Sequence, residues 1–254
     1  MLLAVDAGNT QTQVGLFEGE RLVEHWRLAT VREATTDELA VTLSNLLELR
    51  ARKLDAVDGA IVSSVVPALS LEYEGMSERY LDGRLLIVSP ALKTGMPIRI
   101  DNPHQLGTDR LVNAVAAYHR FGTACIVVDF GTSLNYDVVS AQGEYLGGVI
   151  SPGVEISAEA LWERAAKLVK VDIEPPATVI GKNTEAAIRS GIVHGFAGQV
   201  DGIVGRLRRE LEDQAATIAT GGHAQVIAPY CETIDAVDDW LTLTGLRLIH
   251  EMNM

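Results

Sequence analysis

Val5-Asp6-Ala7-Gly8-Asn9-Thr10 and Val128-Asp129-Phe130-Gly131-Thr132 decide how this chain of 254 residues is read. Each closes a short apolar run with an aspartate and passes through a glycine into a second apolar run. Those second runs, at 14–17 and 136–139, end in turns at Gly19 and Gly143. One strand–Asp-x-Gly–Thr–strand unit therefore occurs in each half of the chain. Such a repeat predicts two similar domains that face each other, with both Asp-x-Gly turns lining one cleft.

Working outward, apolar runs of strand length at 2–5, 13–17, 59–62, 85–88, 124–128, 134–139 and 217–219 alternate with helical patterns. That alternation predicts an α/β architecture. Thr35 and Glu38 stand at capping-box spacing ahead of a helix over 36–49. A second helix, 108–118, carries Leu111, Val112, Val115 and Tyr118 on helical spacing, and a third, 184–211, carries Ile188, Ile192, Val200, Ile203, Val204 and Leu207. The expected domains are 1–118 and 119–254.

The chemistry of the turns follows from their residue types. Glycine at the third position lets a backbone approach a phosphate closely, since no Cβ intrudes. Successive N–H groups and a threonine hydroxyl can then bind phosphate oxygens. An aspartate at the strand end can hold a hydrated cation that screens phosphate charge. Phosphoryl transfer needs this combination of positioning and neutralisation. Either turn alone also fits an ordinary hairpin in which Asp bonds its own backbone; the pair is what points to function. Thr220-Gly221-Gly222 after 217–219 fits two readings equally: a seat for a flat ligand, or a plain strand-to-helix connection.

A third signal is Asp101-Asn102-Pro103-His104-Gln105-Leu106-Gly107-Thr108-Asp109-Arg110. Pro103 and Gly107 impose an irregular loop, and an amphipathic helix begins at once. Asp109 and Arg110 fall in its first turn, where the helix dipole favours an ionised carboxylate. Such a carboxylate can take the proton of a substrate hydroxyl as it attacks phosphorus, and the Arg110 fork suits a substrate carboxylate. The structural alternative makes Thr108 an N-cap and Asp109 a dipole complement. Arg110 argues against it, because a cation in the first turn is misplaced without a partner.

Composition narrows the remaining choices. A net charge of −13 argues against nucleic-acid partners and anionic membrane surfaces. The apolar run before Asp6 is too short for a signal peptide or membrane span, so the expected location is the cytoplasm. Cys125 and Cys231 match no disulfide framework or metal spacing, and neither do the six histidines. Gly181-Lys182-Asn183-Thr184 resembles the end of a Walker A loop, but Pro176 stands where its first glycine belongs.

Together these residues resemble the type III pantothenate kinases, a branch of the acetate kinase–sugar kinase–Hsp70–actin superfamily. The likeness runs through Asp6 to Thr10, Asn102-Pro103, Gly107 to Arg110, Asp129 to Thr132, Tyr145 to Gly153, Asn183-Thr184 and Thr220 to Gly222. It implies two ribonuclease-H-like domains around a nucleotide cleft. It implies that Asp6, Ala7, Gly8, Asn9, Thr10, Gln11, Thr12 and Gln13 hold the ATP phosphates, with Asp6 near Mg2+ and Thr132 reaching ATP. Asp109 would accept the proton, while Gly107, Thr108, Asp109, Arg110 and Thr184 contact pantothenate, Arg110 at its carboxylate. Asp129 would hold a monovalent cation, K+ or NH4+. The resemblance further implies a homodimer that makes 4'-phosphopantothenate in the first step of coenzyme A biosynthesis.

The chain also departs from the family pattern. Ser133-Leu134-Asn135 stands where alanine and two threonines are frequent, and Thr108 replaces a frequent alanine. Ile100 occupies the place of a tyrosine that lines the pantothenate pocket. None of these removes a charged group, so they bear on substrate affinity rather than on the reaction. A nucleotide-binding regulator without catalysis needs no such set as Asp6, Asp109, Arg110 and Asp129, whereas a kinase for another small hydroxy acid does.

Overall fold

The computed structural model describes residues 1–89, 92–165 and 169–254. It divides into two compact units, one of Met1–Gly95, Asn102–Ala116 and Thr242–Met254, the other of Met96–Asp101 and Ala117–Leu241. This division is more interleaved than a single boundary after residue 118, because the chain's last helix returns to the first unit.

In the first unit the strands are β1 (Leu2–Ala7), β2 (Gln11–Glu18), β3 (Arg21–Ala29), β4 (Gly59–Ser64) and β5 (Leu85–Ile87), in the order β3-β2-β1-β4-β5. The β1–β2–β3 meander is antiparallel, and β4 and β5 add on in parallel. The helices are α1 (Thr36–Glu48), α2 (Pro67–Tyr80) and the first part of α3 (Thr108–Phe121), together with the last helix of the chain. Leu3, Val5, Val14 and Leu16 of the sheet pack with Leu39, Leu43 and Leu47 of α1 and Leu69, Tyr73 and Met76 of α2 in one core. The capping box of α1 forms as its sequence predicts: Thr35 N–H donates to Glu38 Oε2 at 2.9 Å, and Thr35 Oγ1 accepts from Glu38 N–H at 3.4 Å.

In the second unit β6 (Cys125–Phe130), β7 (Ser133–Val139) and β8 (Tyr145–Pro152) form another antiparallel meander. Helices α4 (Val154–Arg164) and α5 (Thr184–Leu211) follow, then β9 (Ala216–Thr220), the short α6 (Ala224–Ile227) and β10 (Ala236–Val237). The sheet order is β10-β9-β6-β7-β8, with β9 and β10 parallel to β6 and β9 respectively. Position for position this repeats the first sheet: β1 corresponds to β6 and β4 to β9. The repeated aspartates thus sit on equivalent strands of equivalent sheets. Ile126, Val128, Phe130 and Tyr136 pack with Ile188, Phe196, Val200 and Val204 of α5 in the second core.

The C-terminal helix, α7 (Leu241–Met252), completes the first unit. Thr242 Oγ1 donates to Asn113 Oδ1 of α3 at 2.7 Å, both side chains buried. A side chain at Gly245 would collide with the Val112 backbone carbonyl. This close packing fixes the start of α3, the element that carries Asp109.

Candidate active site

The first unit carries its candidate site residues at the end of β1. Every residue from Leu3 to Val5, and Ala7, is buried, which leaves Asp6 alone as a half-buried carboxylate. In the turn to β2, Gly8 N–H donates to Gln11 O at 3.0 Å, and a Cβ on Gly8 would stand 2.9 Å from that oxygen. Only glycine closes the turn so tightly. Asn9 and Thr10 at its tip are exposed. Asp6 lies opposite Gln13 in the antiparallel register, so the two side chains share one face of the sheet. Gln13 Oε1 is buried with no hydrogen-bond partner among the described residues. Across the parallel pair Asp6 neighbours Ser63. Its charge adds to burial in raising the pKa of the Tyr73 phenol.

Ser63, at the end of β4, joins this sheet to α3. Its Oγ lies 2.9 Å from Thr108 Oγ1, and Ser63 is fully buried. Thr108 is therefore the first helical residue tied to the sheet, not a free N-cap, and that link places Asp109 beside the strand next to Asp6. The Asp109 carboxylate folds back over Gly107, with Oδ1 accepting from Arg110 N–H at 2.9 Å. Burial raises its pKa, against the opposing pull of the Arg110 N–H and guanidinium charge. The helix dipole alone predicts the reverse; desolvation outweighs it here. Arg110 is half-buried one position further on.

The second unit repeats the arrangement with one residue fewer in the turn. Gly131 N–H donates to Ser133 O at 3.1 Å, where Gly8 reaches three residues ahead. Asp129 is half-buried between Asn135 of β7 and Thr220 of β9 in register, and Thr132 is exposed at the tip. Gly221 has φ +93°, and a Cβ on it would stand 2.5 Å from Asp129 Oδ1 and 2.7 Å from the Phe130 carbonyl carbon. The space at Gly221 is thus filled by Asp129, while Gly222 faces open space. Gly153 presses equally closely on the Thr132 carbonyl before α4 begins.

Two predicted residues lie on other segments of the second unit. Thr184 opens α5 behind the N-cap Asn183, whose Oδ1 accepts from Ala186 N–H at 2.8 Å. It lines a groove of about 580 Å³ between α4 and α5, with Leu161, Gly191, Gly195 and Phe196. The faint Walker resemblance at 181–184 is accordingly a helix start. Ile100 is half-buried, 3.5 Å from where a Cβ of Gly147 on β8 would be.

No group of three or more His, Cys, Asp or Glu among the described residues could hold a metal unaided, and no described helix is long and apolar enough to cross a membrane. A family model for type III pantothenate kinases matches residues 2–206. A type III pantothenate kinase of Acidothermus cellulolyticus is 52% identical over 255 aligned residues, spanning 100% of this chain and 99% of that protein. The chain belongs to the type III pantothenate kinase family. Enzymes of this family phosphorylate pantothenate in the first step of coenzyme A biosynthesis.

Solved structures agree on the fold. A Campylobacter jejuni protein described as a Baf family transcriptional activator superposes with a TM-score of 0.62 at 18% identity, over 99% of this chain and 98% of that one. The activator of 2-hydroxyisocaproyl-CoA dehydratase from Clostridium difficile, with bound ADPNP, gives 0.53 at 12% identity, over 99% and 93%. These likenesses place the family member's paired sheets in the actin-like ATPase and sugar kinase fold. Ser63 is the site residue that the sequence reading missed; its only trace was the Ser63-Ser64 pair closing an apolar strand.

Proposed function

We propose that this chain transfers the γ-phosphoryl group of ATP to the 4'-hydroxyl of pantothenate, with Asp109 as the proton acceptor. The observation that carries this reading is the Asp6–Ser63–Thr108–Asp109 arrangement, which ties a half-buried carboxylate to the strand beside the first Asp-x-Gly turn. The hydroxyl oxygen forms a bond to the γ-phosphorus as the bond to the β,γ-bridging oxygen breaks. The hydroxyl proton passes to Asp109, and ADP leaves. A carboxylate with a raised pKa is a better proton acceptor than an ordinary one.

The backbone from Asp6 to Gln13 holds the phosphates, and Thr132 contacts ATP. Gly107 to Arg110 and Thr184 contact pantothenate, with Arg110 forked against its carboxylate. One carboxylate suits Mg2+, which favours few protein ligands plus phosphates and water. Asp6 supplies the oxygen, and the partnerless Gln13 Oε1 opposite it suits a metal-bound water. When bound, the ion would neutralise phosphate charge. Asp129 is the ligand for a monovalent cation. The open groove between α4 and α5, with Ile156 and Leu161 exposed beside it, supports a homodimer. Reliance on the cell's ATP pool supports a cytoplasmic location.

A coupled assay of ADP release, with and without pantothenate, tests the whole. Turnover that depends on pantothenate supports the reading. Nucleotide binding without turnover in its presence overturns it in favour of a regulator.

A further inference from the structure

Three successive carbonyls of the first Asp-x-Gly turn are held from one short segment after β3. Thr30 Oγ1 donates to Gly8 O at 2.8 Å, and Thr30 N–H donates to Thr10 O at 2.9 Å. Between them, Asn9 O accepts from Arg32 Nη2 at 3.2 Å, and Asn9 Oδ1 lies 3.3 Å from the same nitrogen. The Thr30 hydroxyl has spent its proton on Gly8. The 2.9 Å contact between Thr12 Oγ1 and Thr30 Oγ1 is therefore a donation from Thr12, whose side chain is buried. Every polar group of Thr30 except its own carbonyl is thus engaged with the turn.

The consequence lies in the peptide planes. The peptide bonds of the described residues are all trans, so each carbonyl fixed toward the Thr30 segment sends the next residue's N–H the opposite way. Holding Gly8 O, Asn9 O and Thr10 O therefore turns the N–H groups of Asn9, Thr10 and Gln11 away from that segment. Consecutive N–H groups presented together form a concavity for an anion. A hairpin left to itself would engage the Gly8 carbonyl with Gln11 N–H; the Thr30 hydroxyl takes that carbonyl instead.

We propose that Thr30 is a positioning residue, which holds the first turn with its amides aimed at the nucleotide phosphates. The proposal rests on the reading of Asp6 to Gln13 as the phosphate turn. Thr30 touches no substrate; it acts through Gly8, Thr10 and Thr12. Arg32 supplies a second, exposed tether at Asn9.

Thr30→Val keeps the branched shape and removes the hydroxyl. Calorimetry with Mg2+ and a non-hydrolysable ATP analogue, together with steady-state kinetics, should show ATP affinity and KM weakened about threefold to tenfold, the worth of one hydrogen bond. The KM for pantothenate should not change, and Thr30→Ser should restore wild-type nucleotide affinity. If the valine variant does not fold, Thr30→Ala carries the same expectations. A folded variant with wild-type ATP affinity, or equal losses for both substrates that serine does not rescue, overturns the proposal. Gly8→Ala, which strains the turn directly, separates the two layers. Weak nucleotide binding in Gly8→Ala with none lost in Thr30→Val removes Thr30 alone. Wild-type binding in both removes the phosphate-turn reading as well.

Discussion

Gly107 gives the Asp109 carboxylate its place: a Cβ on Gly107 would stand 2.5 Å from Asp109 Oδ1. The position is a matter of space rather than backbone conformation, since Gly107 is not among the positive-φ glycines. An added methyl group would push the carboxylate off its seat without removing it. Gly107→Ala should fold and bind nucleotide yet lose about a hundredfold in turnover, the cost of misplacing a reacting group by about 1 Å. Asp109→Asn should lose about 10²–10⁴-fold, because the amide cannot accept the hydroxyl proton. Asp109→Asn retaining more than half the wild-type kcat would take Asp109 out of the mechanism, and Gly107→Ala doing so would mean that the carboxylate keeps its place despite the methyl group.

The raised pKa of Asp109 carries a pH dependence of definite sign. Burial is the larger cause, and it penalises the ionised form in the folded state. The penalty is absent below the ordinary aspartate range, where both states are protonated, and grows as pH rises through the raised folded value. Asp109→Asn never ionises. Urea titrations from about pH 4 to about pH 8 should therefore show the variant gaining on the wild type as pH increases. A flat difference would mean that the carboxylate is not desolvated.

What the sequence revealed and what it hid have separate physical causes. The Asp6 and Asp129 turns were readable because each ends an apolar strand that is buried almost completely, so a charge there stands out. The α1 capping box and the span of α5 were readable because caps and apolar periodicity are local. Strand β8 was hidden by Gly147 and Gly148: Gly147, at φ +121°, sits beside a register shift at Val138/Val139, and such residues read as turn. Strand β3 carries Arg21, Glu24, His25 and Arg27 as the edge of its sheet, which conceals its period. Ser63 and Thr30 act through contacts spanning 45 and 22 residues, and no local pattern reports those.

Arg110 separates substrate binding from nucleotide binding. If its guanidinium pairs with the pantothenate carboxylate, Arg110→Gln should raise the KM for pantothenate at least tenfold, the order expected for a lost charged hydrogen bond. The KM for ATP should stay near wild type. Pantothenol, which lacks the carboxylate, should be indifferent to the change. Equal losses for pantothenate and pantothenol would mark Arg110 as a residue that holds the start of α3.

Asp129 offers the test of the monovalent cation. It is one carboxylate at the end of β6, with Gly221 packed so closely that a side chain there would displace Oδ1. A carboxylate that takes part in a nucleotide site adds charge of the same sign as the phosphates, and a bound cation offsets that repulsion. One carboxylate with neutral oxygens makes a site of modest charge, suited to a large, weakly hydrated ion rather than to a second divalent one. Activity should therefore require potassium or ammonium, with sodium a poor substitute. Asp129→Ala should weaken ATP binding and abolish potassium activation. Initial rates in sodium and potassium buffers of matched ionic strength decide the matter. Equal rates would reduce Asp129 to a carboxylate that shapes its hairpin. A potassium effect that survives in Asp129→Ala would put the ion elsewhere.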